Sequence, residues 1–492
     1  MYVLLLLAIP FVFSLISVLL PGNLAKKSAL LGSLLQFVFT LWIAIWVYPC
    51  TDLSIDLPWV ASLGINFSLN IDGVSLILIV LTNLLCPIVI FSSFENRNYS
   101  EVPSFYMLVL LMQTALIGVF TAYDGFLFYV CWEAALIPIY FISAIWGGVD
   151  KVRITFKFFI YTVFGSLFML AGLIYIYLKT PAPHSFGLDM FVTADLNSAE
   201  EFWVFLAFFI AFAIKMPIFP FHTWQPETYT ESPTPATMLL SGIMLKMGIF
   251  GVMRWLIPIA PFAFNDLNYW IVALSVIGIV YASIIAIMQS DFKKLVAYSS
   301  IAHVGLISAG LFTGSIEGFQ GAVIQMFNHG INVVAIFYVL ELISQRTGTR
   351  QIANLGGIVF KAPMLSIAFL IIVLGTVALP LTNGFPGEFL LLFSVYKFNM
   401  WFGAIAGLTI ILGAVYMLRM YKNIMLGSAK SNIDNFKDLN TSELAVLIPI
   451  CILIIAIGLF PNVILQSTDS YAADLMQYVK ENSFAGMVGL VK

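Results

Sequence analysis

The sequence predicts an all-α integral membrane protein with about 14 transmembrane helices, and two observations predict it. Of its 492 residues, 61% are hydrophobic and only 10% charged, with a mean hydropathy of +1.00, outside the range of soluble globular chains. The apolar residues also come in runs of the roughly 20 residues that one helix needs to cross a bilayer.

The runs fall near residues 2–21, 29–48, 73–94, 104–122, 124–147, 157–178, 203–221, 235–256, 269–289, 294–312, 318–341, 363–398, 400–422 and 443–461. The twelfth is too long for one span and carries Pro380 and Pro386, so it is expected to be interrupted. Nothing between the runs is long enough for a soluble domain, and residues 1–492 read as a single polytopic unit. Residues 2–21 lack both a basic flank and a small-residue cleavage pattern, which predicts a retained helix.

An even number of spans puts both termini on one side. With Met1 outside, the inner loops hold most of the 22 Lys and Arg, including Arg97, Lys293, Lys294, Arg419 and Lys422. The outer segments then hold only Lys179, Arg254, Lys397, Lys480 and Lys492, the asymmetry expected of a membrane protein. Residues 463–482 mix apolar and polar positions, as in a helix lying along a surface or a neighbouring subunit.

Other classes are disfavoured. Cys50, Cys86, Cys131 and Cys451 lack metal or disulfide spacing and are expected to pack. A net charge of -3 without a basic stripe gives no nucleic-acid partner. No phosphate-binding or dinucleotide motif is present, so no cofactor is expected in this chain and its energy must come from outside it.

Charge inside the membrane carries the functional signal, because an ionisable group at a helix centre costs roughly 2.5–3.5 kcal/mol. Glu133 in FYVCWEAALIP and Lys215 in FAIKMPIFPFH lie in the fifth and seventh runs, at depths of roughly 14 and 18 Å. They are placed to pair. Lys246 in SGIMLKMGIF and Glu388 in NGFPGEFLLL complete a set of four near the midplane. One such group is readily a structural ion pair; four at one depth point to proton transfer, since burial and neighbours move the proton affinities of Glu and Lys strongly.

Pro217 and Pro220 follow Lys215, and Pro380 and Pro386 precede Glu388. They are expected to break both helices and to free the carbonyls of Ala213, Met216, Thr376 and Thr382. Broken helices at corresponding places in two halves mark an ion path, and predict inverted five-helix repeats over 104–256 and 269–422. His184 and His222 fall in or beside loops and are expected to be solvated or capping. His303 and His329 lie within helices; a haem-ligand pair is conceivable, but relay groups beside Ser299, Ser300, Ser308 and Asn328 fit better. The segment HTWQPETYTESPTPA is expected as a tight connection at the inner face.

With these residues in view, the chain resembles the antiporter-like membrane subunits of respiratory complex I. The resemblance covers nearly the whole chain and rests on WEAALIPIYF, FAIKMPIFPFHTWQPETYTESPTPA, LLSGIMLKMGIFG, DFKKLVAYSSIAHVG, GAVIQMFNHGIN and NGFPGEF. It implies a proton pathway through Glu133, Lys215, Lys246 and Glu388, with His303 and His329 as connecting groups, and no bound redox centre. Glu388 stands where L- and N-type relatives look lysine-bearing. The implied partners are the other complex I membrane subunits, among them L- and N-like antiporter subunits, in an energy-transducing membrane, with both termini on the outer side of a bacterial inner membrane. The alternatives are a subunit of a cation/proton antiporter and a haem-bearing anchor.

Overall fold

The computed structural model describes residues 1–94, 96, 98, 99, 101–430 and 433–490, of which 483–490 are described by backbone alone. Arg97 and Lys492, both used in the charge count, lie outside the described residues. Among the described residues, twelve helices are long and apolar enough to cross a membrane.

The first of two compact units holds residues 1–216, 231–267 and 473–492. Its helices are α1 (Tyr2–Leu19), α2 (Gly22–Trp42), α3 (Gly73–Ser92), α4 (Pro103–Thr121), α5 (Gly125–Trp146), α6 (Lys151–Lys179) and α7 (Ser198–Lys215). A hairpin the sequence did not announce, β1 (Ser54–Val60) and β2 (Ile65–Asn70), joins α2 to α3 with Ile55 opposite Leu69. Side-chain caps start the helices where the chain enters them. Asp72 accepts from the Ser75 N–H, Asp124 from those of Phe126 and Leu127, and Asn197 forms a capping box with Glu200.

The second unit holds residues 217–230 and 268–472. It opens with the short helix α8 (Gln225–Glu231), so the stretch expected as a tight connection is largely helical. The chain then passes through α9 (Thr234–Ile259) of the first unit and α10 (Pro261–Ile287), which runs from one unit into the other. The second unit continues with α11 (Phe292–Leu311), α12 (Ile316–Thr347), α13 (Pro363–Thr376), α14 (Gly384–Phe398), α15 (Met400–Met425) and α16 (Thr441–Leu459). The expected 463–482 segment is helical, through a short helix Asn462–Leu465, a 3-10 turn Gln466–Thr468 and helix α17 (Asp469–Leu490), which buries Leu475, Met476 and Val479.

Helix α1 has a mean hydropathy of 2.6 and is mostly open to the outside, as lipid requires, whereas α11 averages 1.3 and is almost wholly covered. Helix α9 is completely buried, and α12 is buried throughout residues 321–340. Helices α9, α11 and α12 carry Lys246, His303 and His329 in that order. All three side chains are buried, and so are kept from hydrocarbon.

The seventh and twelfth runs are broken. Helix α7 ends at Lys215, and α13 and α14 are separated by residues 377–383. In the second break Ala378 and Leu381 adopt left-handed φ of 55° and 75°, which costs on the order of 1–2 kcal/mol per residue. The expectation that Pro386 leaves the Thr382 carbonyl free is corrected, since it accepts from the Phe385 N–H at 3.2 Å. The break is held from outside too: the Asn383 N–H donates to the Ile454 carbonyl at 2.8 Å.

Candidate proton-transfer sites

In the first unit, Lys215 is the last residue of α7, and its buried ammonium has no hydrogen-bond partner. Two features of the fold stabilise the cation instead. The carbonyl end of α7 carries partial negative charge, and Nζ stands 5.2 Å from the centroid of the Trp132 ring. Glu133, the next residue on α5, makes no hydrogen bond to Lys215. The expected contact pair is thus not formed: Glu133 Oε1 is also without a hydrogen-bond partner.

Lys246 lies on α9 between two π-helical stretches, Leu240–Met244 and Val252–Leu256. Such widened turns recur at functional sites because they re-aim backbone groups. Here the Lys246 ammonium, fully buried, donates to the Ser241 carbonyl at 2.7 Å. Two glycines let α9 approach α7. A Cβ on Gly248 would stand 2.8 Å from the Phe212 carbonyl oxygen and 2.9 Å from the Met216 nitrogen, while one on Gly251 would meet the Phe212 ring at 2.5 Å. Gly248 therefore sets where the end of α7, and Lys215 with it, comes to rest.

The second unit gathers Glu388, His303 and His329. Glu388 is the fifth residue of α14, just past its first turn, and is buried. Its Oε1 is 3.0 Å from His303 Nδ1 and 3.4 Å from the Gln325 side-chain nitrogen. The histidine contact is close but misaligned, because neither ring nitrogen of His303 makes a hydrogen bond. His329 Nε2 meets Ser300 Oγ at 3.1 Å, and the two imidazole rings are 6.0 Å apart. Between them lies a cavity of about 20 Å³ lined by Ser299, Ser300, His303, Gln325, His329 and Asn332 among others. That is room for a water molecule.

Sequence reasoning missed Trp132, Gln325, Asn332, Asn383 and Tyr416. Gln325, Asn328, His329 and Asn332 recur at helical spacing in QMFNHGIN, a polar stripe that marks one face of α12. Asn332 and Asn383 exchange amide hydrogen bonds at 3.1 Å, fixing the second break against α12. His222, expected to be solvated or capping, is buried and stacks on Phe219 with ring centroids 5.7 Å apart. Arg254, expected in an outer segment, is buried within α9 and paired with Asp72, while Arg346 pairs with buried Glu443.

Residues 122–413 match the family model described as the NADH:quinone oxidoreductase/Mrp antiporter transmembrane family. The chain belongs to this family. NADH-quinone oxidoreductase subunit M of Rickettsia conorii is 40% identical over 445 residues, 89% of each chain. NADH-ubiquinone oxidoreductase chain 4 of Marchantia polymorpha is 34% identical, over 96% of this chain and 97% of its own. A chain in respiratory complex I from Thermus thermophilus superposes with a TM-score of 0.90 at 30% identity, over 97% of this chain and 100% of that one. A chain in the Mrp complex from Dietzia sp. shares the fold, with a TM-score of 0.84 at 19% identity. Membership in this oxidoreductase and antiporter family agrees with the resemblance carried by the sequence motifs.

Proposed function

We propose that this chain is the M-type proton-translocating membrane subunit of a complex I, an NADH:quinone oxidoreductase. Electron transfer takes place in other subunits, and this chain moves protons through buried Glu, Lys and His. The observation that carries the reading is the pairing of charge with broken helix. Lys215 ends the half-helix before one break, at the end that favours its charge, and Glu388 lies just past the first turn of the half-helix after the other.

In the first unit Lys215 is the central proton carrier. Glu133 biases it through space and Lys246 is the further carrier on α9. A Lys215 ammonium held by a ring and a helix end, with no committed acceptor, is free to give up its proton when the local field changes. In the second unit His303 and His329 pass protons to and from Glu388, which delivers them toward the outer face. The segments 104–256 and 269–422 are read as inverted repeats, the two broken runs as interrupted spans that bring the total to fourteen, and residues 463–482 as part of a surface segment. The chain itself holds no cofactor, and its place is a bacterial inner membrane with both termini outside.

The test uses the assembled complex in vesicles, comparing NADH-driven acidification in wild type and in Lys215→Ala. The reading requires that pumping per NADH falls. Unchanged pumping with Lys215→Ala, Glu133→Ala and Glu388→Gln would reduce the buried charges to structural pairs. Sodium-dependent transport without copurifying NADH oxidation would place the chain in a cation/proton antiporter instead. A haem spectrum from the purified chain would return His303 and His329 to the ligand reading.

A further inference from the structure

A second, larger cavity lies in the same unit as the histidine cavity. It has a volume of about 280 Å³ and is lined by residues from the α10–α11 connection, from Ile352 and Ala353, and from α15. Its rim includes exposed Met288, Ser290, Ala353, Arg419 and Asn423, so it is open to the surroundings. Its floor includes Leu295 and Tyr416, both buried. Such a volume holds several water molecules.

The two cavities meet through a single hydrogen bond. Ser299 lines the histidine cavity, Tyr416 lines the larger one, and the Ser299 hydroxyl donates to the Tyr416 hydroxyl oxygen at 3.1 Å. Beyond Ser299 the histidine cavity leads to His303, and His303 Nδ1 stands 3.0 Å from Glu388. Both nitrogens of His303 and Oε1 of Gln325 are buried without a hydrogen-bond partner, which is the demand a chain of waters satisfies.

We propose that the α15 vestibule is an inner-face proton inlet to the second unit, and that Tyr416 is the hydroxyl through which protons cross from it to the histidine cavity. The inference rests on the proton-translocating reading above. The vestibule opens at the end of the unit that carries Lys293, Lys294, Arg350, Arg419 and Lys422, the basic end that faces inward in membrane proteins.

The two hydroxyls first rotate from the arrangement in the structure, where Ser299 donates, to one in which Tyr416 donates to Ser299 Oγ. A hydronium in the vestibule then gives a proton to the Tyr416 oxygen as Tyr416 gives its own to Ser299 Oγ. Ser299 releases its proton to a water in the histidine cavity, and that water protonates an imidazole. The transfer leaves Ser299 donating to Tyr416 as in the structure, and the pair can rotate again for the next proton, since neither O–H direction is fixed by a second bond. One proton has moved inward, and the two side chains end as they began.

The experiment uses the whole complex in vesicles. Tyr416→Phe removes one oxygen and keeps the ring, so assembly and thermal stability are expected to be unchanged. NADH-driven acidification is expected to fall by roughly tenfold or more, the scale on which a lost proton-transfer group acts. Glu388→Gln is measured beside it. Loss in Glu388→Gln with full pumping in Tyr416→Phe would overturn the inlet while leaving the proposed function standing; full pumping in both would overturn the function itself.

A plug gives the same answer without touching the hydroxyl. Asn423→Cys in a Cys50→Ser background, treated with a membrane-impermeant methanethiosulfonate on the basic side, is expected to lose pumping only when the reagent reacts. Modification without loss of pumping would sink the inlet, even if Tyr416→Phe failed to assemble.

Discussion

His303 Nδ1 and Glu388 Oε1 stand 3.0 Å apart from helices α11 and α14, yet the imidazole makes no hydrogen bond to the carboxylate. A small rotation of either side chain would align them. In the proposed reading, proton transfer and ion-pair formation would then share a single geometry. Glu388→Gln keeps the shape and the reach to Gln325 while removing the exchangeable charge. It is expected to abolish pumping by the assembled complex without lowering its thermal stability; retained pumping would show that the carboxylate is not in the path.

The position of Lys215 depends on a residue that bears no charge. Gly248→Ala would place a methyl group 2.8 Å from the Phe212 carbonyl, and backbone on both sides has little freedom to move. Overpacking of this kind costs roughly 1–3 kcal/mol. The expected result is a complex that assembles with a lowered melting temperature and pumps less per NADH, because the end of α7 shifts away from Trp132 and Glu133. Wild-type coupling in Gly248→Ala would show that α7 tolerates the shift.

Trp132 holds the Lys215 ammonium by its ring face, an interaction worth roughly 0.5–2 kcal/mol. Trp132→Leu is expected to weaken pumping less than Lys215→Ala does, and Trp132→Phe to recover much of the loss, since a smaller ring still offers a face. If Leu and Phe behaved alike, the ring would matter only for packing.

Arg254 and Asp72 form a buried pair that also reaches Ser75 and the N-terminus of α3. Arg254→Ala strands a carboxylate that caps that helix, and breaking one partner of a buried pair typically costs about 3–5 kcal/mol. Because the Asp72 side chain keeps some access to solvent, about 3 kcal/mol is expected here. The loss should appear as poor assembly on native gels and be partly relieved in the Arg254→Ala, Asp72→Asn double variant. No relief would mean that the arginine acts through its packing.

The second break is fixed by a close approach. A Cβ on Gly458 would lie 2.4 Å from the Thr382 carbonyl carbon and 2.5 Å from the Leu381 carbonyl oxygen. Gly458→Ala therefore pushes α16 against the strained turn that includes Leu381 and Ala378. Assembly of the complex is expected to suffer, as judged by the yield of intact particles. An unaffected yield would show that the turn yields more easily than α16.

Much of this molecule was legible in the order of its residues. Hydropathy runs placed the spans because lipid allows only helices whose backbone bonds are satisfied internally, and a twenty-residue window detects them. Lys215, Lys246, Glu133 and Glu388 stood out because charge in an apolar run is rare. The prolines gave the breaks, since a residue without an N–H cannot continue a helix.

What the sequence could not supply was the distance between segments. It placed Glu133 and Lys215 at similar depth, able to pair, but equal depth on two helices says nothing about rotation about their axes; the fold forms no contact pair and puts Trp132 against the ammonium. It assigned Arg254 to an outer segment, because a charge near the end of an apolar run looks like an anchor until its partner Asp72, 182 residues away in sequence, is brought beside it. The link between Ser299 and Tyr416 spans 117 residues and involves two side-chain types with no conspicuous charge. Local pattern determined which groups this protein carries into the membrane; only the packing of α11, α12, α14 and α15 decided which of them share a water-sized space.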